Sequence, residues 1–409
     1  MNQTKSEDII TDWGALFASL LLLIGIASLL VLSGLLILIG LSALPGMKSS
    51  EPLSILMLGS GTFLLSILLV PGFYFNCRKF FNKPNEPMRL PVLNDSVVLP
   101  ALITAWLISL VLGNTISGSQ IASTILLPLI NIFAIGLPIL FYIRISLRGL
   151  ELPTARRGWS IFGASLLVSP ILAFIFEGLA LGVVILLFMI YASFVPGLQE
   201  SLKSLIETIQ ANNRSDTDAM KLAANLIFAP GAAVAALSTF SVAVPLIEET
   251  FKIILILPFL GRIRRPVDGF VLGILCGAAF ALSENISFSS AGSADWAANV
   301  AARATAALPH MFNSGLFGWA LVSAWKQHRF WLLALTFFSI ILVHGTWNAV
   351  SLGLAMNNLS QYGTSIPLLL QNSYPWIAAW IVLATGSFGG LLFNNFQMRK
   401  ILRLERMKS

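Results

Sequence analysis

Long apolar runs dominate this chain of 409 residues and restrict it to very few folds. A helix needs about 20 apolar residues to cross a hydrocarbon core of roughly 30 Å. With 56% hydrophobic and only 11% charged residues, the chain is too apolar for a soluble globular protein. We predict an all-α, polytopic transmembrane helix bundle of about twelve spans, or ten if two pairs of runs are single helices. The twelve runs are 13–41, 53–75, 97–113, 124–145, 159–176, 179–195, 222–244, 245–260, 267–288, 309–325, 330–354 and 375–396, with a tight turn at Glu177-Gly178.

Basic residues lie in alternate short loops between these runs, at 78–89, 148–157, 262–265, 326–329 and 399–408. This alternation is typical of a multi-pass membrane protein and predicts that both termini are cytoplasmic. The net charge of +7 is therefore no sign of nucleic-acid binding. The first apolar run is too long for a signal-peptide core, so we expect a retained first helix. The chain has no eukaryotic targeting signal, and a prokaryotic cytoplasmic membrane is the expected location.

Four ionisable residues interrupt the apolar runs "PLIEETFKIILILPFL" and "GILCGAAFALSENISF": Glu248, Glu249, Lys252 and Glu284. Such groups are retained at membrane depth when they face a bundle interior or a water-filled cavity, so they indicate a functional site. Glu248 lies four residues before Lys252, the favourable order for a helix ion pair. Glu249 is rotated by about 100° from its neighbour. Two adjacent carboxylates repel each other, so one is expected to have a raised pKa that suits proton transfer.

Two histidines also lie within apolar runs, His310 in "LPHMFNSGLFGWAL" and His344 in "LVHGTWNAV", where Asn348 follows one turn later. Counting about 1.5 Å per residue from the cytoplasmic end places Glu248, Glu284, His310 and His344 roughly 18 to 26 Å up. They thus share a layer in the outer half of the membrane. Structural interpretations remain open: an ion pair for Glu248, interhelical hydrogen bonds for the histidines, and interfacial snorkelling for Glu284. The Gly269, Gly273, Gly277 face predicts close helix packing.

This combination of motifs resembles the PrsW family of intramembrane proteases, which is related to CAAX prenyl proteases and bacteriocin-processing enzymes. The resemblance covers about 245–350 and rests on "EETFK", "DGFVLGILCGAAFALSEN", His310 and "HGTWN". It implies that Glu248 and Glu249 are the paired catalytic carboxylates and that Glu284 is the FxxxE glutamate. It further implies that His310 and His344 are the catalytic histidines and that the amide of Asn348 orients a group or binds the oxyanion. The expected activity is cleavage of membrane-anchored proteins, such as anti-sigma factors, near the extracytoplasmic face.

The resemblance also suggests how the chain is organised. We expect N-terminal transmembrane helices of unknown role at 1–197, a cytoplasmic amphipathic segment at 198–221, a protease core at 222–354, and a C-terminal helix with a basic tail at 355–409. The expected partners are membrane lipids and a single-span membrane protein substrate, without nucleic acid.

The chemistry leaves alternatives open. In the first, a glutamate-activated water hydrolyses the peptide and no cofactor is needed. In the second, His310, His344 and Glu284 bind zinc, although the tight HExxH spacing is missing. A proton- or cation-coupled transporter and a non-catalytic scaffold are the alternatives outside hydrolysis.

Overall fold

A computed structural model describes residues 12–44, 51–89, 94–210, 221, 224–225, 227–228, 230–289, 296–360 and 371–408. These residues form helices and, apart from one isolated bridge between Pro87 and Thr154, no β-structure. The predicted polytopic all-α bundle is confirmed. Parts of the predictions for the N-terminus, the 198–221 segment, the 222–244 run and the loop after residue 355 fall outside the described residues.

Twelve α-helices are described, with a π-helical turn at Thr239–Ala243 and a 3-10 helix at Ile254–Arg262 flanking the eighth. The α-helices are α1 (Trp13–Ser42), α2 (Glu51–Phe80), α3 (Asp95–Ser117), α4 (Gln120–Leu147), α5 (Ala155–Phe194), α6 (Leu198–Gln210), α7 (Pro230–Ser238), α8 (Val244–Ile253), α9 (Pro266–Ser289), α10 (Trp296–Gln327), α11 (Phe330–Ser360) and α12 (Tyr374–Lys408). Eight of the described helices are long and apolar enough to cross a membrane: α1–α5, α9, α11 and α12.

Two sequence predictions of separate spans are wrong. The runs 159–176 and 179–195 are one helix, α5, of 40 residues, with Glu177-Gly178 inside it. A turn at that depth would leave backbone groups without partners in hydrocarbon, whereas a helix satisfies them all. The run 245–260 is the 10-residue α8 followed by the 3-10 helix. Pro258 explains this change because proline lacks an N–H and its ring clashes with the carbonyl four residues earlier.

The chain forms two compact units. Unit 1 comprises Met1–Pro170, Lys252–Leu333 and Gly389–Ser409. Within it, α9 and α10 form the most extensive helix pair, and α4 packs against both. The buried indole N–H of Trp296, at the start of α10, donates a 2.9 Å hydrogen bond to Asn131 of α4. The N-terminal helices are thus packed directly against α10.

One end of unit 1 is held by charged groups around Glu151, in the loop between α4 and α5. Its carboxylate pairs with Arg406 of α12 at 2.6 Å and with Arg265, just before α9, at 2.8 Å. Hydrogen bonds from Arg406 and then Arg265 lower the pKa of Glu151. This contact joins three distant parts of the sequence.

Unit 2 comprises Ile171–Phe251 and Ala334–Phe388. Aromatic side chains hold it together: Phe176 of α5 contacts Phe251 of α8 with ring centroids 4.9 Å apart. Trp347 of α11 and Trp380 of α12 form a second such pair at 5.9 Å.

Candidate functional site

The π-helical turn before α8 is the docking point for α11 in unit 2. The Val244 N–H bonds to the carbonyl of Thr239, five residues earlier, which widens the turn by one residue. Asn348 of α11 donates a 2.9 Å hydrogen bond to the Phe240 carbonyl. Gly345 meets the Ser241 carbonyl so closely that any Cβ there would clash. These contacts hold the His344 turn of α11 against the segment that leads into α8.

His344 lies between the two glutamates of α8. Its Nδ1 is 2.8 Å from Glu249 Oε1, and its Nε2 is 3.7 Å from Glu248 Oε2. All three residues are buried, with relative exposures of 2% for His344, 0% for Glu249 and 7% for Glu248. Glu249 therefore contacts Nδ1 of the imidazole, and Glu248 faces Nε2 from a greater distance.

The two distances indicate different roles. An ionised carboxylate only accepts hydrogen bonds, so an ionised Glu249 requires a proton on Nδ1 and leaves the lone pair on Nε2. A separation of 3.7 Å is too long for a hydrogen bond between Nε2 and Glu248. Two ligands of one tetrahedral zinc ion lie roughly 3.3 to 3.5 Å apart. A carboxylate behind a ligating histidine is also the usual support of such a ligand. The 3.7 Å between Nε2 and Glu248 Oε2 exceeds that spacing by only a few tenths of an ångström, so a small approach would let this pair hold a metal ion.

In unit 1, the glycine face of α9 brings α10 unusually close. A Cβ at Gly273 would clash with the Ser314 carbonyl, and one at Gly269 with the Gly318 carbonyl. At Gly277 an added Cβ would lie 2.6 Å from the His310 carbonyl oxygen. The predicted close packing is confirmed, and it sets the backbone of His310 beside α9.

This crossing places His310 against Glu284, two turns beyond Gly277. His310 Nε2 lies 2.7 Å from Glu284 Oε2, and its Nδ1 lies 2.7 Å from the Nζ of Lys252. Lys252 is fully buried and its ammonium lies 4.5 Å from the centre of the Phe280 ring. Glu284 therefore supports His310 from behind, as Glu249 supports His344 in unit 2.

Arg303 of α10 is a member of this group that the sequence analysis missed. It forms a 2.8 Å ion pair with Glu284, and its Nε donates a 3.1 Å hydrogen bond to Asn285. Arg303 precedes His310 by seven residues, two helical turns, so both project from one face. That spacing could have revealed it, but the predicted span began only at 309, whereas α10 begins at Trp296.

The structure thus assigns the predicted residues to two groups, each within one unit. Glu248, Glu249, His344 and Asn348 belong to unit 2, and Lys252, Glu284 and His310 to unit 1. The amide nitrogen of Asn348 is bonded to a backbone carbonyl, so its oxyanion role stays a prediction.

Comparison with known proteins supplies one match. The model of a family described as PrsW family intramembrane metalloprotease matches residues 171–372, close to half of the chain. This region extends beyond the motif-bearing stretch on both sides, and its match confirms the resemblance drawn from the sequence. No curated protein and no solved structure matches the chain.

Proposed function

Because residues 171–372 form a PrsW-family region, we propose that this protein is an intramembrane endopeptidase acting on membrane-anchored proteins. The family match supports membrane-embedded proteolysis in general. The observation that carries the proposal is the position of His344, 2.8 Å from Glu249 and 3.7 Å from Glu248. A buried imidazole supported by one carboxylate and facing another is a common arrangement for activating water.

The family description implies a metal ion, and the buried residues offer suitable donors. Glu248 and His344 of unit 2 are of the types that could hold such an ion. When bound, the metal would lower the pKa of a water molecule and polarise the scissile carbonyl. In this proposal Glu284 and His310 are not ligands, because the two nitrogens of His310 lie 2.7 Å from Glu284 and from Lys252. This differs from the zinc set suggested by the sequence, which was His310, His344 and Glu284.

The protein's own groups have distinct tasks in the proposed hydrolysis. Glu249 accepts the Nδ1 proton of His344 and stabilises any positive charge that develops on the ring. Glu248, whose Oε2 faces Nε2, is the carboxylate placed to receive a proton from water. His310 is the candidate to protonate or stabilise the leaving amine. Both glutamates are buried.

The proposed substrates are single-span membrane proteins, of the anti-sigma-factor kind, cut near the extracytoplasmic face. The support is the depth count along the apolar runs, which places the acids and histidines in the outer half of the bilayer. The basic residues in alternate loops support a cytoplasmic location for the opposite face.

The test is cleavage of tagged single-span reporter proteins co-expressed with the full chain. Wild type is expected to release a fragment, and His344→Ala and Glu249→Gln are expected to lose cleavage. His328→Asn is the matched control, because this third histidine is exposed and has a φ of 56° that asparagine tolerates. Reporters that stay intact with wild type across a broad panel would overturn the proposal.

The metal content of the purified protein distinguishes metal-dependent hydrolysis from hydrolysis by a glutamate-activated water alone. Elemental analysis of purified wild type and His328→Asn is expected to find about one divalent ion per chain, and His344→Ala should lose most of it. Equal metal content in His344→Ala, or cleavage that persists after chelation, would favour a metal-free carboxylate mechanism.

A further inference from the structure

Arg303 is a half-buried arginine whose charged contacts lead towards His310. Its guanidinium contacts Glu284 at 2.8 Å, and Glu284 in turn lies 2.7 Å from His310 Nε2. The side chains of Arg303 and Glu284 are each 19% exposed.

Several contacts fix the orientation of this arginine. Its Nε donates to Asn285 Oδ1 at 3.1 Å, and Asn285 Nδ2 donates to the backbone carbonyl of Arg303 at 3.0 Å. The guanidinium carbon also lies 4.9 Å from the centre of the Phe288 ring. Asn285 has no exposed surface. The guanidinium therefore meets Glu284 in one geometry rather than as a mobile surface charge.

The two oxygens of Glu284 are divided between two partners. Oε1 contacts Arg303 and Oε2 contacts His310 Nε2. The ion pair at Oε1 restricts rotation of the carboxylate, so Oε2 stays beside the imidazole. An ionised Glu284 2.7 Å from Nε2 favours the proton on that nitrogen, which leaves the lone pair of His310 on Nδ1, beside Lys252.

We propose that Arg303 is a positioning residue that, through Glu284, fixes the ring of His310 for hydrolysis. The expected effect of Arg303 on catalysis rests on the proposed function, whereas its expected effect on the orientation of the His310 ring does not. Arg303 itself contacts no reacting atom. A purely structural alternative is that Arg303 only neutralises a buried carboxylate.

Paired neutral substitutions distinguish positioning from neutralisation. Arg303→Gln leaves Glu284 without its cation and is expected to lower the melting temperature and to reduce kcat about 10- to 100-fold, with KM unchanged. The double variant Arg303→Gln/Glu284→Gln removes both charges, so stability should recover while kcat stays low. Recovery of kcat in the double variant would mean that Arg303 only neutralises charge, and would overturn the proposal.

A second readout needs no activity. Nitrogen-15 NMR spectra are recorded for histidine-labelled protein in lipid bilayers. In the His328→Asn variant only the signals of His310 and His344 remain, and His344→Gln then identifies which signal belongs to His310. Wild type should show His310 protonated on Nε2 and hydrogen-bonded to a carboxylate. Arg303→Gln should weaken that hydrogen bond, and Arg303→Lys should restore it only in part. An unchanged His310 signal in Arg303→Gln would contradict the proposal, even if no substrate is ever cleaved.

Arg144→Gln is the matched control. Arg144 forms a 2.6 Å ion pair with Asp95 in the same unit, and its side chain is 7% exposed. This substitution should also lower the melting temperature, while the His310 signal and the kcat of the folded protein stay as in wild type. A fall in kcat equal to that of Arg303→Gln would show that any broken buried ion pair has this effect, and would overturn the proposal.

Discussion

Gly277→Ala tests the claim that the crossing of α9 and α10 sets the position of His310. The added Cβ would lie 2.6 Å from the His310 carbonyl oxygen and 2.8 Å from the Met311 Cα. Both are backbone atoms, so no side chain can rotate away. The helices must separate locally by about 0.8 Å to reach ordinary van der Waals contact.

The separation moves the backbone of His310 away from α9 and therefore also moves its imidazole ring. If it is passed on in full, the 2.7 Å distance between His310 Nε2 and Glu284 Oε2 becomes about 3.5 Å, which weakens the contact between the imidazole and the carboxylate. Overpacking of this kind costs roughly 1 to 3 kcal/mol. Misplacement by about 1 Å reduces catalysis by up to roughly 100-fold.

Reporter cleavage and thermal unfolding, measured on the same purified variants, check this expectation. Gly277→Ala should cleave at least about 10-fold more slowly than wild type while remaining folded. Gly182→Ala is the control, because a Cβ at that position in α5 meets nothing within 4 Å. Full activity in a folded Gly277→Ala would refute the link between the glycine crossing and the site.

Three further outcomes are expected. Glu249→Gln should lower the affinity for the metal about 10- to 100-fold, because it removes the carboxylate behind His344. Elemental analysis of protein prepared at limiting metal concentration checks this. The lowered pKa of Glu151 means that its ion pairs stabilise the fold above the ordinary carboxyl pKa and that this contribution is lost as pH falls through the folded value. Glu151→Gln should thus lower stability by at most about 1 kcal/mol at pH 7, with the difference from wild type vanishing in acid melts. Trp296→Phe removes the hydrogen bond to the buried Asn131 and should cost about 1 kcal/mol in denaturant unfolding.

The sequence was most informative where an ionisable residue interrupts an apolar run. Glu249 and His344 were selected on that ground alone, and the structure brings them to 2.8 Å across 95 positions of sequence. The glycines of α9 were likewise recognised as packing residues, because small residues at four-residue spacing permit close helix approach.

Sequence reasoning failed where local composition and tertiary context conflict. Glu177-Gly178 has the composition of a turn, but the hydrocarbon environment favours an unbroken helix. Arg303 was missed because α10 is too polar to be recognised along its whole length, and its polarity is satisfied by partners on α9. The different positions of Glu248 and Glu249 around His344 depend on the direction from which α11 approaches, which no local pattern encodes.

The extra residue in the Thr239–Ala243 turn makes the spacing of this stretch as important as its composition. Loss of a single codon there would restore regular helical winding and leave every acid and imidazole in the chain. It would nevertheless remove the wide turn whose Phe240 and Ser241 carbonyls contact Asn348 and Gly345 of α11. Insertions and deletions in this turn should therefore be tolerated far less well than substitutions, and a silent relative could arise through a change in length alone.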